Sequence, residues 1–177
     1  MRQAARPRRL MSTDLNWYRT EIIEVVSLKK TRVAIITSGG DAPGMNAAIR
    51  AATLVAIADG AIVVGVERGY SGLIEGAFRE LSTDDVDHII HHGGPILGTA
   101  RSKLFMTRDG RRQAREALHA AQIQKVMVIG GNGSLAGARA LADPEEQDGP
   151  PIQVIGLPAS IDNDIGYTRL SIGVDTA

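Results

Sequence analysis

The run Ile35-Ile36-Thr37-Ser38-Gly39-Gly40-Asp41-Ala42-Pro43-Gly44-Met45-Asn46-Ala47-Ala48-Ile49-Arg50 changes character twice. An apolar segment stops at two glycines and an aspartate, and an alanine-rich helical pattern begins a few residues later. That is a strand, a tight turn and a helix N-terminus. Glycines let the backbone approach a ligand, and the first helical N–H groups are unsatisfied donors, so the turn favours an anion, most often a phosphate. The spacing is neither G-x-G-x-x-G nor G-x-x-x-x-G-K-[ST]. What surrounds the turn has to decide what it holds.

Outward from that run the same grammar repeats. Val33–Thr37 reads as a buried strand, and Asp41 or a neighbour is expected to cap a helix over Asn46–Ala58, with Pro43 in its first turn and Asp59-Gly60 as its stop. Ala61–Val66 is a second strand, followed by the glycine loop Glu67–Gly72 and a short strand or hairpin within Leu73–Leu81. Ser82 and Asp85 have capping-box spacing, which predicts a helix to about His92. The glycine-rich connection Gly93–Ser102 leads to a helix over Asp109–Ala121. Lys125–Ile129 is a strand running into Gly130-Gly131-Asn132-Gly133-Ser134, then comes a helix over Ser134–Ala142. A polar loop precedes the strand Ile152–Leu157, which breaks at Pro158-Ala159-Ser160-Ile161-Asp162-Asn163-Asp164. Strands alternating with helices predict an α/β three-layer sandwich with a mostly parallel sheet. In such sheets ligands sit beyond the carboxyl ends of the strands, where Gly39-Gly40-Asp41, Gly131–Ser134 and Asp162-Asn163-Asp164 would face one cleft.

Composition narrows the classes. Among 177 residues, 20 Lys and Arg balance 20 Asp and Glu, and only 3% are aromatic, which gives no footing for nucleic acid or an anionic membrane. With 44% hydrophobic residues the chain can bury a core, and with no cysteine it has neither disulfides nor thiolate metal sites. Residues 1–30 carry no secretory h-region and are read as a poorly ordered N-terminal extension; no run is long enough to span a bilayer. His88, His91 and His92 have no metal-ligand spacing and are read as structural, and Lys103 as a surface charge.

From about Arg32 to its last residue the chain resembles the 6-phosphofructokinase family. The resemblance rests on Thr37–Arg50, Leu97-Gly98-Thr99-Ala100-Arg101, Ile129-Gly130-Gly131-Asn132-Gly133-Ser134 and Ser160-Ile161-Asp162-Asn163-Asp164, in order and at similar spacing. It implies phosphoryl transfer from ATP to the 1-hydroxyl of fructose 6-phosphate with Mg2+, by a cytoplasmic homo-oligomer, usually a tetramer. It implies that Gly40 lies against the ATP phosphates, that Arg101 and Ser102 border the nucleotide, and that Gly131, Asn132, Gly133 and Ser134 form the second wall. Ser160, Ile161 and Asp162 would meet the sugar, with Asp162 as base and Arg101 reaching the transferring group. Asn132 and Asp164 would serve the metal. The residue types suit the reaction, which needs a carboxylate for the nucleophile's proton and a cation for developing charge.

The departures are informative. Asn132 stands where the family carries a metal-binding aspartate, keeping a carbonyl oxygen without the charge. Diphosphate-using relatives have aspartate at the position of Gly133 and lysine at that of Ala159, so this chain favours ATP. Arg50 matches an effector-contacting arginine, but Thr83–His88 lacks the partner arginine. Family members continue for roughly as long again, so residues 31–177 are expected to be the ATP-binding part, without the sugar-phosphate part. The alternatives are a diphosphate-dependent enzyme, a non-catalytic nucleotide- or effector-binding paralogue or inactive fragment, and, as the generic α/β case, a dinucleotide oxidoreductase, which lacks its G-x-G-x-x-G here.

Overall fold

A computed structural model describes residues 30–177; the expected N-terminal extension, apart from Lys30, lies outside the described residues. Five strands, β1 (Arg32–Ser38), β2 (Ile62–Val66), β3 (Phe78–Leu81), β4 (Lys125–Gly130) and β5 (Gln153–Pro158), form one sheet in the order β3-β2-β1-β4-β5. All neighbours are parallel except β2 and β3. The helices are α1 (Met45–Ala58), α2 (Gly69–Glu75), α3 (Thr83–Val86), α4 (Arg108–Ala120) and α5 (Asn132–Leu141).

Period-two side-chain alternation on β1 divides the core. Ala34 and Ile36 point to one face, where they pack with Val64 and Val128 under Leu73 of α2, Leu118 of α4 and Leu141 of α5. Ile35 points to the other, joining Val63 and Ile129 beneath Met45 and Ile49 of α1 and Val86 of α3. Helices thus cover both faces, and the three-layer α/β sandwich with a mostly parallel sheet stands as expected.

Four local expectations are corrected. Helix α1 starts at Met45 with Gly44 as its N-cap, at φ 93 and with no side-chain cap. Pro43 precedes the helix and so is not in its first turn, and the cap falls to the neighbouring Gly44 rather than to Asp41; a left-handed cap suits glycine, which has no Cβ to clash. The glycine loop after β2 is itself helical, as α2, and the strand that follows is the short antiparallel β3. The capping box at Ser82 and Asp85 is present, but α3 ends at Val86 and Ile89–His91 forms a separate 3-10 turn. Finally, α5 begins at Asn132, two residues before the expected Ser134, so Asn132 and Gly133 belong to its first turn.

The topology fixes where a ligand can sit. The chain moves from β1 outward to β2 and β3, then returns to place β4 on the other side of β1. The β1/β4 boundary is therefore a switch point of the sheet, the usual site of a crevice. Ser38 pairs with Gly130, and Gly130 with Pro158. The three loops after β1, β4 and β5 leave the sheet at one level.

Candidate functional site

A cavity of about 700 Å3 occupies that switch point. The loop after β1 contributes Gly39, Gly40 and Asp41, the first turn of α5 contributes Asn132, Gly133 and Ser134 after Gly131, and the loop after β5 contributes Ser160, Ile161 and Asp162. The fourth wall comes from the long connection between α3 and α4, which carries Arg101, Ser102 and Lys103.

That connection has little regular structure, and two buried side chains of the scaffold hold it. Thr37 donates its hydroxyl to the Gly98 carbonyl at 2.8 Å. Asn46, 5% exposed on α1, donates to the carbonyls of His92 at 3.2 Å and Gly94 at 2.8 Å and accepts from the Ile96 N–H at 2.9 Å. A buried amide with those three bonds pins the backbone that delivers Arg101.

The main chain around the cavity leaves room for a phosphate-bearing ligand. A Cβ added at Gly40 or at Gly133 would meet nothing within 4 Å, so both backbones face open space. Ser134 is 4% exposed, and its Oγ, which has no partner among the described residues, is closed off beside Gly39 and Gly130. Open backbone at a helix N-terminus beside a cationic guanidinium is the arrangement anions occupy. The donor set for a divalent cation is thinner. Among the described residues no group of three His, Cys, Asp or Glu comes together. Asn132 and Asp41 line the cavity, whereas Asp164 lies just outside the lining, its carbonyl accepting from Asn132 Nδ2 at 3.5 Å. This fits Mg2+, which takes few protein ligands when substrate phosphates supply the rest.

The loop after β5 is ordered by its own polar groups. The Asp162 N–H donates to Ser160 Oγ at 3.1 Å, and Ser171 donates to the carbonyls of Ser160 and Asp162 at 3.3 and 3.4 Å. Asp162 itself is exposed at the cavity. A carboxylate held at its main chain and free at its side chain can take a proton from a bound hydroxyl.

The cavity extends past the glycine loops to a wall that residue patterns did not reveal. Tyr70 of α2 stacks on Phe105, with ring centroids 3.9 Å apart and planes at 16°, and donates its hydroxyl to the Ser134 carbonyl at 2.7 Å. Burial pushes the Tyr70 phenol well above its ordinary range, so it stays a donor. A Cβ at Gly137 of α5 would lie 2.8 Å from the Tyr70 ring, so this helix can approach only as glycine. Met106 completes the wall and is 77% exposed. A tyrosine in a chain with 3% aromatics, and a glycine inside an alanine-rich helix, were the available signals. Lys103 lies on the cavity as well as on the surface. Arg50 is elsewhere, paired with Asp87 at 3.3 Å, and His88, His91 and His92 are exposed.

A mostly parallel α/β sheet brings glycine loops, a guanidinium and a carboxylate together at its switch point, an arrangement that can take a phosphate-bearing ligand. The family model described as Phosphofructokinase matches residues 32–177, and the chain belongs to that family. It is 52% identical over 145 residues to an ATP-dependent 6-phosphofructokinase of Thermotoga neapolitana, covering 82% of this chain and 44% of the relative. It is 44% identical over 146 residues to one of Clostridium tetani, with the same coverage. A crystal structure of Pichia pastoris phosphofructokinase in the T-state superposes with a TM-score of 0.76 at 41% identity, over 82% of this chain and 17% of that one. The chain spans less than half the length of the curated relatives it matches.

Proposed function

We propose that this chain is the nucleotide-binding part of an ATP-dependent 6-phosphofructokinase, which transfers the terminal phosphoryl group of ATP to the 1-hydroxyl of fructose 6-phosphate. The observation that carries this reading is the level exit of three loops, fixed by Ser38 opposite Gly130 and Gly130 opposite Pro158. It brings backbone donors and a carboxylate to one cavity, to which the α3–α4 connection adds the Arg101 guanidinium.

In this reading Gly40 and Gly133 give the phosphates close access to main-chain N–H groups, with Ser134 in the same wall. Arg101 balances charge building on the transferring group, a contribution that is largest where water is excluded. Asp162 accepts the sugar hydroxyl's proton, with Ser160 and Ile161 positioning the sugar. Asn132 and Asp164 would hold Mg2+, whose chemistry is to neutralise phosphate oxygens. The wall of Tyr70, Phe105, Met106 and Gly137 favours ATP over diphosphate: it carries the cavity beyond the phosphate loops, where Met106 offers apolar surface that a diphosphate would leave uncovered. The same reading brings with it fructose 6-phosphate as partner and a cytoplasmic homo-oligomer, usually a tetramer in the family. Val55 at 64% and Ile155 at 61% exposure are apolar surface of the kind an interface covers. Among the described residues no helix is long and apolar enough to cross a membrane.

One observation favours a second reading. Asn132 removes a charge from the metal's surroundings, as expected of a paralogue that binds nucleotide without turnover. A coupled assay for fructose 1,6-bisphosphate on the full reading frame separates the two. Turnover with ATP and not with diphosphate is expected, and Asp162→Asn should lower kcat by about 10²–10⁴-fold while ATP binding persists. Tight ATP binding with no turnover of either donor establishes the paralogue.

A further inference from the structure

The described molecule has another hollow, of about 340 Å3, at the opposite end of the sheet from the cleft. Lys30 and Thr31 lead into β1, Arg32 is its first residue, and Gln124 and Lys125 open β4, one strand over in the sheet. The remaining wall is the C-terminal turn of α4, with His119 and Gln122, closed by Pro150.

Its electrostatics are one-sided. Three permanent cations, Lys30, Arg32 and Lys125, line it, and among the described residues no lining side chain is acidic. Glu80 of β3 pairs with Arg32 at 3.0 Å. Among the described residues Lys30 and Lys125 enter no ion pair. The surplus is thus two positive charges. A helix C-terminus would ordinarily oppose an anion through its free carbonyls. Here three of the last four are occupied: Ala117, His119 and Leu118 accept from the N–H groups of Ala121, Gln122 and Ile123. Gln122 turns the chain with φ 58 to make this possible. His119 Nε2 lies 2.9 Å from the Pro150 carbonyl, which can only accept, so the ring donates there and fixes the wall. The side-chain amides of Gln122 and Gln124 add uncharged donors at the rim.

We propose that this hollow binds a phosphate dianion, as inorganic phosphate or as a phosphomonoester of a small polar molecule, at a site separate from the cleft. The charge matches: a phosphomonoester carries about −1.5 to −2 near pH 7. The volume exceeds what a bare phosphate fills and leaves room for an ester's polar body against the two glutamines. The site stands on its own lining and does not depend on the reaction proposed for the cleft.

Amide NMR on the 15N-labelled full chain tests this, with inorganic phosphate and glycerol 3-phosphate titrated separately at constant ionic strength against sodium chloride. Saturable shifts are expected at Thr31, Arg32 and Gln122–Lys125, half-complete at roughly 1 mM, on a curve distinct from that of Gly39–Asp41 and Gly131–Ser134. A tighter curve for glycerol 3-phosphate identifies the ester, and equal curves identify free phosphate. Lys30→Glu with Lys125→Glu, both at exposed positions, should weaken the foot site at least about tenfold and leave the cleft titration as it was. Lys125→Gln should give a smaller loss in the same direction. Shifts at the foot that stay linear, that sodium chloride reproduces, or that the double variant leaves unchanged overturn the proposal.

Discussion

Polar groups are used in opposite ways in the cleft and in the cluster where α4 meets Glu146. In the cluster, Arg111 grips Glu146 with its Nη2 at 2.6 Å and its Nε at 2.8 Å, and Arg115, 3% exposed, adds contacts at 3.4 Å. The Arg111 hydrogen bonds hold the Glu146 carboxyl down at about 2, against an ordinary value of 4.5. In the cleft, Ser134 Oγ is buried without a partner, and Gly40 and Gly133 face open space. The first arrangement is met by protein groups except at Arg115 Nε, which has no partner among the described residues, whereas the second leaves main chain open toward a cavity.

Two sets of variants should break this contrast if it is wrong. Gly40→Val and Gly133→Val put a side chain into space that the protein leaves open. Each should weaken ATP binding by about 100-fold or more, measured by calorimetry, with the melting temperature nearly unchanged. A large drop in melting temperature would mean that the space belongs to folding. Glu146→Gln should do the reverse. A carboxyl whose folded value is lowered stabilises above its unfolded value, and that contribution disappears as pH falls from about 4.5 to about 2. Urea unfolding should therefore show the variant less stable at neutral pH by about 1–3 kcal/mol, with the gap closing across that window and ATP affinity unaltered.

The same contrast explains how much could be read from the sequence. Strands such as Val33–Thr37 and Lys125–Ile129 are legible because parallel strands buried on both faces are continuously apolar. The three loops are legible because glycines and aspartates directly after such runs have few other uses. What escapes is whatever depends on distant contact. The cap of α1 looks like Asp41 in one dimension, but Gly44 takes it, in a left-handed turn that suits a residue without a Cβ. Residues Glu67–Gly72 look like a loop because glycine is a poor helix former, yet packing of Tyr70 and Leu73 into the core makes α2. Tyr70 and Gly137 are 67 residues apart in sequence and touch only once α2 and α5 share a face. The arrival of Arg101 at the cleft depends on Asn46, whose three partners span 92–96. No local pattern announces that.

A finer test lies within the cleft, at the one residue whose chemistry departs from the family pattern. Asn132 is exposed in the first turn of α5 and reaches the Asp164 carbonyl at 3.5 Å, a long contact with little to lose. Asn132→Asp should be nearly neutral for folding, because a carboxylate in a helix's first turn suits the dipole. Restoring a charged oxygen beside the phosphates should lower the magnesium concentration for half-maximal activity of the full reading frame by about tenfold. An unchanged magnesium titration would place the metal away from Asn132.

The smallest effect is expected where pairing is plentiful and idle. Arg112 bridges Asp109 and Glu116 on the outer face of α4, at spacings of three and four residues, and all three side chains are about half exposed. Measured by geometry alone this triad rivals the Glu146 cluster. The difference is water: exposed pairs lose most of their attraction to solvent and to the entropy of holding long side chains in place. Arg112→Ala should therefore leave the urea midpoint of unfolding nearly where it was, with any residual shift vanishing in high salt. A loss equal to that of Glu146→Gln would show that contact geometry, and not burial, sets the strength of these networks.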